Sequence, residues 1–437
     1  MAAPSGPLEI AIAGCGPAGL AAALLLHHDG HRVTLFERFD APRPVGSGLM
    51  IQPTGVAVLA RLGLAERLMA RGARIDALLG LQEKGRIALD ARYDELGIPG
   101  AFGIGVHRAS LFAVLYDEVL ARGIAVRTGH EAVRVCGSPQ RPTLVFADGA
   151  RSAGFDLAID ATGWNTRLQS GARNPLAFGA LWTTLPMDGC ETIAPHLLEQ
   201  RYRRAARMAG VLPIGRRTPD GPEEVAFFWS LRADLYPQWR TAPLDAWKAE
   251  VVREWPQIAP LMSRIEDHDD LTFARYSHRS CPQPRGGAHF VIGDAWHSAS
   301  PQLGQGANMA LLDAWALAAG LREGRTIAEG LRLARAWRSG HVALYQAVTA
   351  IFTPLYQSDA KWPALLRDNI LAPLSRVPPI TRLQAMLMSG MFGWPLRPLG
   401  LEPPDYAAIA SSSAPRTSGS AQSRSPTTRQ TSLPDAS

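Results

Sequence analysis

The sequence is short of cysteine, lysine and long apolar runs, and each shortage removes a class of protein. Its four cysteines, Cys15, Cys136, Cys190 and Cys281, stand far apart. They have neither metal-site spacing nor the framework of a disulfide-stapled domain. Cys15 reads as a small buried filler, and a catalytic thiol is not expected. Of 45 basic residues only Lys84, Lys248 and Lys361 are lysines. The arginines are spread among acids, without a dense basic stripe interleaved with aromatics, which argues against a nucleic-acid partner. The most apolar stretch near the start, Ile10 to Leu26, is broken by glycine and proline and has no basic residues before it. That excludes a signal segment or membrane span there, and a reduced, cytoplasmic setting is expected.

What is present is enough for a large core. The chain has 437 residues, 46% of them hydrophobic, and a formal net charge of +6. Such a length accommodates two domains. A mildly positive field favours anionic ligands.

The first informative block is Gly14-Cys15-Gly16-Pro17-Ala18-Gly19. Before it, Leu8 to Ala13 reads as a buried parallel strand; after it, Leu20 to Leu26 reads as a helix stopped by Gly30. Arg32 to Glu37 reads as the next strand. Glycines at this spacing permit a tight turn and close approach to a pyrophosphate resting on a helix N-terminus. Pro17 fits a first helical position. Glu37, about 20 residues past the glycines, stands where an acid accepts hydrogen bonds from a ribose.

A second block follows the apolar run His289 to Ile292. It comprises Gly293-Asp294-Ala295-Trp296-His297, then Pro301, then Gly304-Gln305-Gly306-Ala307-Asn308. Asp294 is suited to a ribityl hydroxyl. Gly304 and Gly306 let backbone N–H groups approach a ligand, and the helix expected over Ala307–Leu321 directs its positive end toward the loop. An NAD-binding domain has no need of this second block. Two distant segments serving one cofactor point to FAD.

With these motifs in place the chain resembles the para-hydroxybenzoate hydroxylase-like, single-component FAD-dependent aromatic hydroxylases. Two further stretches carry the resemblance. One is Glu37-Arg38 with Arg43 and Gly46-Ser47-Gly48-Leu49-Met50-Ile51-Gln52, which in the family passes beside the ribityl chain and flavin ring. The other is His107-Arg108-Ala109-Ser110-Leu111, where Arg108 is implied to contact the diphosphate or ribityl region. The family's Gly-Ala-Asp-Gly run, followed by Asn or Ser and Arg, corresponds to Asp160-Ala161-Thr162-Gly163-Trp164-Asn165-Thr166-Arg167. Thr162 replaces the motif aspartate, keeping a hydroxyl but losing the charge. Thr162, Gly163 and Arg167 are candidates for the nicotinamide cofactor, with pairing to an acid the alternative for Arg167.

The expected fold is α/β: a Rossmann-like FAD-binding domain with a parallel sheet, interleaved with a mixed-sheet substrate domain and followed by a helical C-terminal region. Residues 1–75, 107–170 and 285–322 are assigned to the FAD-binding domain and 76–106 and 171–284 to the substrate domain. Residues 323–410 form the helical region and 411–437 a Ser/Thr/Pro-rich tail expected to be disordered. The apolar run Ala385–Trp394 has three readings: a cap over the substrate pocket, weak membrane or partner contact through 385–401, or core packing, which is favoured.

The resemblance implies an FAD-dependent monooxygenase. NADPH or NADH reduces FAD, O2 adds at flavin C4a, and the resulting peroxide hydroxylates or epoxidises an aromatic or polyketide-like molecule of secondary metabolism. His297 is the leading candidate for a catalytic histidine, with a positional role as the alternative; Tyr276 and His278 are weaker candidates. Trp182, Phe227, Phe228 and Trp229 either line an aromatic pocket or belong to the core. Other readings are a reductase or oxidase not reduced directly by NAD(P)H, and a non-catalytic flavin-binding protein. No metal is expected.

Overall fold

The computed structural model describes residues 6–41, 47–83, 85–169, 174–218, 220–284 and 286–412. Arg43, Gly46 and the tail from 413 onward lie outside these; Ser411, expected in the tail, closes the helix Tyr406–Ser411.

The short apolar run at the start becomes the strand Glu9–Ala13, central in a five-stranded sheet. On one side it pairs in parallel with Arg32–Phe36, and that strand with Ala125–Arg127. On the other side lie Leu157–Asp160 and then His289–Val291, also parallel. Strands from three distant parts of the chain thus end at one edge, where ligands of open α/β sheets bind. The helices Pro17–His28, Arg108–Ala121 and Gly306–Glu323 pack together beside this sheet. The first is apolar all round, as a helix buried between sheet and neighbouring helices must be. Thr143 to Phe146 does not join the parallel sheet. It lies in Arg141–Phe146, which pairs antiparallel with Ala132–Ser138 as a separate ribbon.

The second large sheet has seven strands. Leu197–Arg203 pairs in parallel with Ala77–Gln82, and the remaining pairings, from Thr272–His278 at one edge to Ile87–Arg92 at the other, are antiparallel. The alternation in Glu223–Arg232 sorts its aromatics between two faces. Phe227 and Trp229 enter a core with Trp247 of the helix Leu244–Glu254, whereas Phe228 joins the core shared with the nucleotide-binding half. Phe227 and Trp229 are therefore core residues and do not line a pocket. A third, three-stranded sheet, Gly48–Ile51, Gly103–His107 and Ala73–Ile75, sits between the two large ones. Gly48 allows that closeness, since a Cβ there would overlap Ala226 and Ile214 of the seven-stranded sheet.

The long helix Ile327–Tyr356 lies along Gly306–Glu323 and begins with Thr326 accepting from the Glu329 amide. Ala385, Met388, Met391, Leu396, Leu399 and Leu401 are buried in the main core. Most of the apolar side chains of 385–401 thus pack inside, Trp394 being 40% exposed, and no described helix is long and apolar enough to cross a membrane.

Phe227→Ala removes a fully buried ring from the second core. We expect a loss of about 3–5 kcal/mol in unfolding free energy, measured by chemical denaturation.

Candidate functional site

Each glycine of the first loop meets a different demand. Gly14 has φ +106°, and a Cβ there would lie 2.5 Å from the carbonyl oxygen of Ala161. At Gly19 a Cβ would overlap the Gly14 carbonyl oxygen, so its absence lets the helix pack on the loop. Gly16 has nothing within 4 Å of its Cβ position. It caps the helix Pro17–His28 without a side-chain hydrogen bond, with Pro17 in the first turn. The amides of Ala18 and Gly19 therefore open onto a cradle suited to an anion. Glu37 is aimed at the same loop: its carboxylate accepts from the Cys15 amide at 2.9 Å and the Phe39 amide at 3.2 Å. Burial, and then the charge of Glu37, push the Cys15 thiol far up, so it remains a neutral filler. Arg38 is exposed and stacks over Phe39 at 4.5 Å.

The second block meets the first directly. Gly293 has φ +64°, and a Cβ there would stand 3.1 Å from the Ala18 Cβ. Asp294 starts the turn Asp294–His297, and its Oδ1 lies 3.7 Å from the Cβ position of Gly306. Pro301 opens a short 3-10 turn ending at Gly304, φ +61°. Gly306 and Ala307 begin the next helix, again without a side-chain cap. Pro301, Gly304 and Gly306 are exposed, so this helix start is also accessible. Beside it, Gln52 is fully buried; its Oε1 accepts from the Tyr93 hydroxyl, while Nε2 has no partner and lies 3.8 Å from the Cβ position of Gly304. Two uncapped helix starts in contact, an acid at each strand end and an open cradle at Gly16 fit a dinucleotide with a flavin end.

Asn308 is fully committed to the protein. It is buried, accepts from the Gln52 amide at 2.8 Å and donates to the carbonyls of Met50 at 3.2 Å and Gly304 at 3.1 Å. It ties the Gly48–Gln52 stretch to the second loop. His297 also departs from expectation. Its Nε2 donates to Asp313 Oδ2 at 2.6 Å, and its side chain is 3% exposed. The same carboxylate accepts from the Gly293 amide at 2.9 Å and from Arg338 Nε at 2.8 Å. Arg338 donates onward to His341 Nδ1 at 2.7 Å, and His341 Nε2 to the Gly390 carbonyl at 3.1 Å. Burial alone would raise the Asp313 carboxyl, but His297 and Arg338 outweigh it and hold it below the usual range. This geometry favours the positional role for His297, since Asp313 occupies its Nε2 inside the core.

The 160–167 segment is likewise satisfied internally. Asp160 is fully buried and accepts from the Thr162 amide at 3.0 Å, the Thr162 hydroxyl at 2.7 Å and the Thr166 hydroxyl at 2.7 Å. The acid lost at 162 thus reappears two residues earlier as an internal brace. Gly163, φ +84°, has open space at its Cβ position. Arg167 is exposed and pairs with Glu131 at 3.5 Å, the alternative considered for it. Arg279, absent from the candidates, is buried and donates to the carbonyls of Trp164, Thr166 and Gln169, fixing this loop.

On the substrate-sheet side, Trp182 packs on Phe228 in a tilted arrangement with centroids 4.8 Å apart and donates from Nε1 to the Tyr276 oxygen at 2.7 Å. Tyr276 keeps its own proton for another acceptor. Burial raises this phenol to about 12, against the opposing effects of the Trp182 hydrogen bond and the Arg108 charge. Arg108 begins the helix Arg108–Ala121, is exposed, and has its backbone amide bonded to Ser47 at 2.9 Å. His107 caps that helix by accepting from the Ala109 amide, and burial with the cations Arg217 and Arg108 lowers it to about 4. His278 is lowered by burial.

The fold and these two loops define a flavoprotein of the dinucleotide-binding class. A family model described as FAD binding domain matches residues 7–332, and the chain belongs to that family. It is 37% identical over 161 residues to 3-amino-4-hydroxybenzoate 2-monooxygenase of Streptomyces cremeus, covering 36% of this chain and 40% of that protein. The aligned part thus spans about two fifths of that relative. Asperlicin C monooxygenase of Petromyces alliaceus is 25% identical over 318 residues, 67% of this chain and 68% of that one. Among solved structures, 2-methyl-3-hydroxypyridine-5-carboxylic acid oxygenase superposes with a TM-score of 0.72 at 20% identity, over 90% of this chain and 98% of that one. Klebsiella pneumoniae HpxO, solved with FAD and uric acid, gives a TM-score of 0.72 at 20% identity over 88% of this chain and 98% of that one.

The buried network has a pH signature. Burial first, then the Arg338 cation, lowers His341 from 6.5 to about 3. The unfolded chain therefore binds a proton that the folded one excludes, and stability is lost as pH falls below about 6.5. Between pH 7 and pH 5 this group removes about 2 kcal/mol of unfolding free energy. His341→Gln, which keeps a donor for Gly390, should show a correspondingly smaller loss in urea titrations at the two pH values.

Proposed function

We propose that the protein is an FAD-dependent monooxygenase that uses NADPH or NADH and O2 to hydroxylate, or epoxidise, an aromatic or polyketide-like small molecule. The observation that carries this is the contact between the two open loops, Gly293 against Ala18. The similarity to 3-amino-4-hydroxybenzoate 2-monooxygenase and to Asperlicin C monooxygenase supports the same reaction class. Overall, substrate, NAD(P)H, a proton and O2 give hydroxylated substrate, NAD(P)+ and water.

Bound FAD supplies the redox chemistry, accepting a hydride and activating oxygen. The chain's own residues hold and shield it. The amides of Ala18 and Gly19 would receive the diphosphate at Gly16, and Glu37 would accept from the ribose. Asp294 would accept from the ribityl chain. The start of the helix Gly306–Glu323 would favour negative charge on the bound flavin. Arg108, exposed at its helix start and close enough for its charge to act on Tyr276, would serve the diphosphate or ribityl region. Tyr276, a neutral phenol oriented by Trp182, donates to an oxygen of the substrate. Trp182 and Phe228 exclude water from the reacting face.

The nicotinamide donor has a less obvious site, because Thr162 is occupied by Asp160 and Arg167 by Glu131. That observation favours, as a second reading, reduction by a separate protein. Anaerobic mixing with NADPH and then NADH, with and without a panel of phenols and hydroxypyridines, separates the two. Bleaching of the flavin's visible absorbance, accelerated by one aromatic compound, is the expected result. Absence of bleaching by both nucleotides across the panel favours the second reading. Label from 18O2 in the product is expected in either case; its absence with every substrate consumed contradicts the monooxygenase.

Gly16→Val tests the cofactor cradle. A Cβ at this position has no protein atom within 4 Å, so folding is expected to be retained while flavin retention falls at least about tenfold. Unchanged visible absorbance would contradict the placement.

A further inference from the structure

The helical segment Lys361–Leu374 is mounted firmly on its inner side and apolar on its outer side. Its middle is a π turn, Arg367–Leu371. Inside, Arg367 is buried, donates to the carbonyls of Leu355 and Arg204 at 3.1 and 3.0 Å, and lies over the rings of Tyr202 and Tyr356. Outside, Trp362 is 63% exposed, Leu365 60% and Ile370 57%, and Leu374 and Val377 are about half exposed. The extra residue of the π turn keeps Ile370 in line with Leu365 and Leu374. Among the described residues nothing covers this stripe on its clamped helix, and a row of exposed large apolar side chains marks a contact site.

Charge identifies what covers it. The two carboxylates nearest in sequence are spent: Asp359 pairs with Arg232, and Asp368 with Arg367. Lys361 and Arg376 are exposed at the two ends of this stretch and Arg382 on the helix that follows; Arg376 donates to the Ile87 carbonyl at 2.9 Å, and none of the three has a carboxylate partner among the described residues. A second copy docked through a two-fold axis would set these cations against their own counterparts. A surface of anionic headgroups satisfies both features, since Trp, Leu and Ile enter the headgroup boundary while Lys and Arg meet the phosphates. The helix is too short to span a bilayer, so it lies on one.

We propose that the face formed by Trp362, Leu365, Ile370, Leu374 and Val377, flanked by Lys361, Arg376 and Arg382, binds the surface of anionic membranes. The test is sedimentation of the flavin-loaded full chain with sucrose-loaded vesicles of phosphatidylcholine alone or mixed equally with phosphatidylglycerol. The expected result is binding to the anionic vesicles at least about tenfold tighter than to the neutral ones, weakened by salt. Trp362→Ser, Leu365→Ser and Ile370→Ser together, and separately Lys361→Glu, Arg376→Glu and Arg382→Glu together, should each reduce it about tenfold or more. Flavin absorbance and the melting temperature show that both variants remain folded. No sedimentation with anionic vesicles, or binding unchanged in folded variants, overturns the proposal. So does a dimer in light scattering that the serine variant dissociates while vesicles remain unbound. None of these outcomes depends on the reaction the flavin performs.

Discussion

The carboxylate of Asp313 is the constraint on which the site depends. It is fully buried, and three donors from two parts of the chain meet on it: the Gly293 amide and His297 from the second loop, and Arg338 from the long helix. Removing it would strand a cation and a histidine in the core, and breaking a buried pair in this way typically costs about 3–5 kcal/mol. Its geometric effect matters as much as its energy. By gripping Gly293, Asp313 sets the end of the strand His289–Val291 against Ala18 of the first helix, so the second loop is presented to the first at a fixed distance. Through Arg338 and His341 the same carboxylate reaches Gly390, making the C-terminal helices part of the support of that loop.

Other braces serve the same end. Asn308 fastens the Gly48–Gln52 stretch to the start of the helix that follows the second loop. Asp160 and Arg279 fasten the 160–169 segment, against which Gly14 lies. Asn308, Asp160 and Arg279 near the open positions Gly16, Gly304 and Gly306 are committed to the protein, while Gln52 Nε2 beside Gly304 is left without a partner. A ligand entering there meets backbone amides held in place beforehand, which reduces the ordering cost of binding.

The nucleotide-binding half was legible because its signals are local. A strand, three glycines at fixed spacing, an apolar helix and a terminal acid lie within one short stretch, and Gly14, Gly16 and Glu37 occupy the positions that spacing implies. Side-chain roles were harder to read. Asn308 and His297 stand in the ligand loops by sequence, yet long-range partners turn them inward. A signal existed for Asp313: a lone acid inside the apolar run Asn308–Gly320 is buried only if it is paired. The strands Leu197–Arg203 and Thr272–His278 carry little sequence signal because each is rich in polar residues and partly exposed, their pairing set by distant strands. In the C-terminal region the richest apolar run, 385–394, packs largely inside, the reading favoured for it, while the outward apolar face lies in the more mixed segment 361–377, which hydrophobicity alone does not mark.

If the two loops act as one rigid site, each half of the cofactor should bind weakly alone and strongly when joined. The direct measurement is isothermal titration of the flavin-stripped chain with FAD, with ADP and with FMN. The account predicts that FAD binds on the order of a hundredfold or more tighter than either half, because both loops contribute to one binding event. ADP binding as tightly as FAD would show that the second loop holds nothing, and would contradict the account.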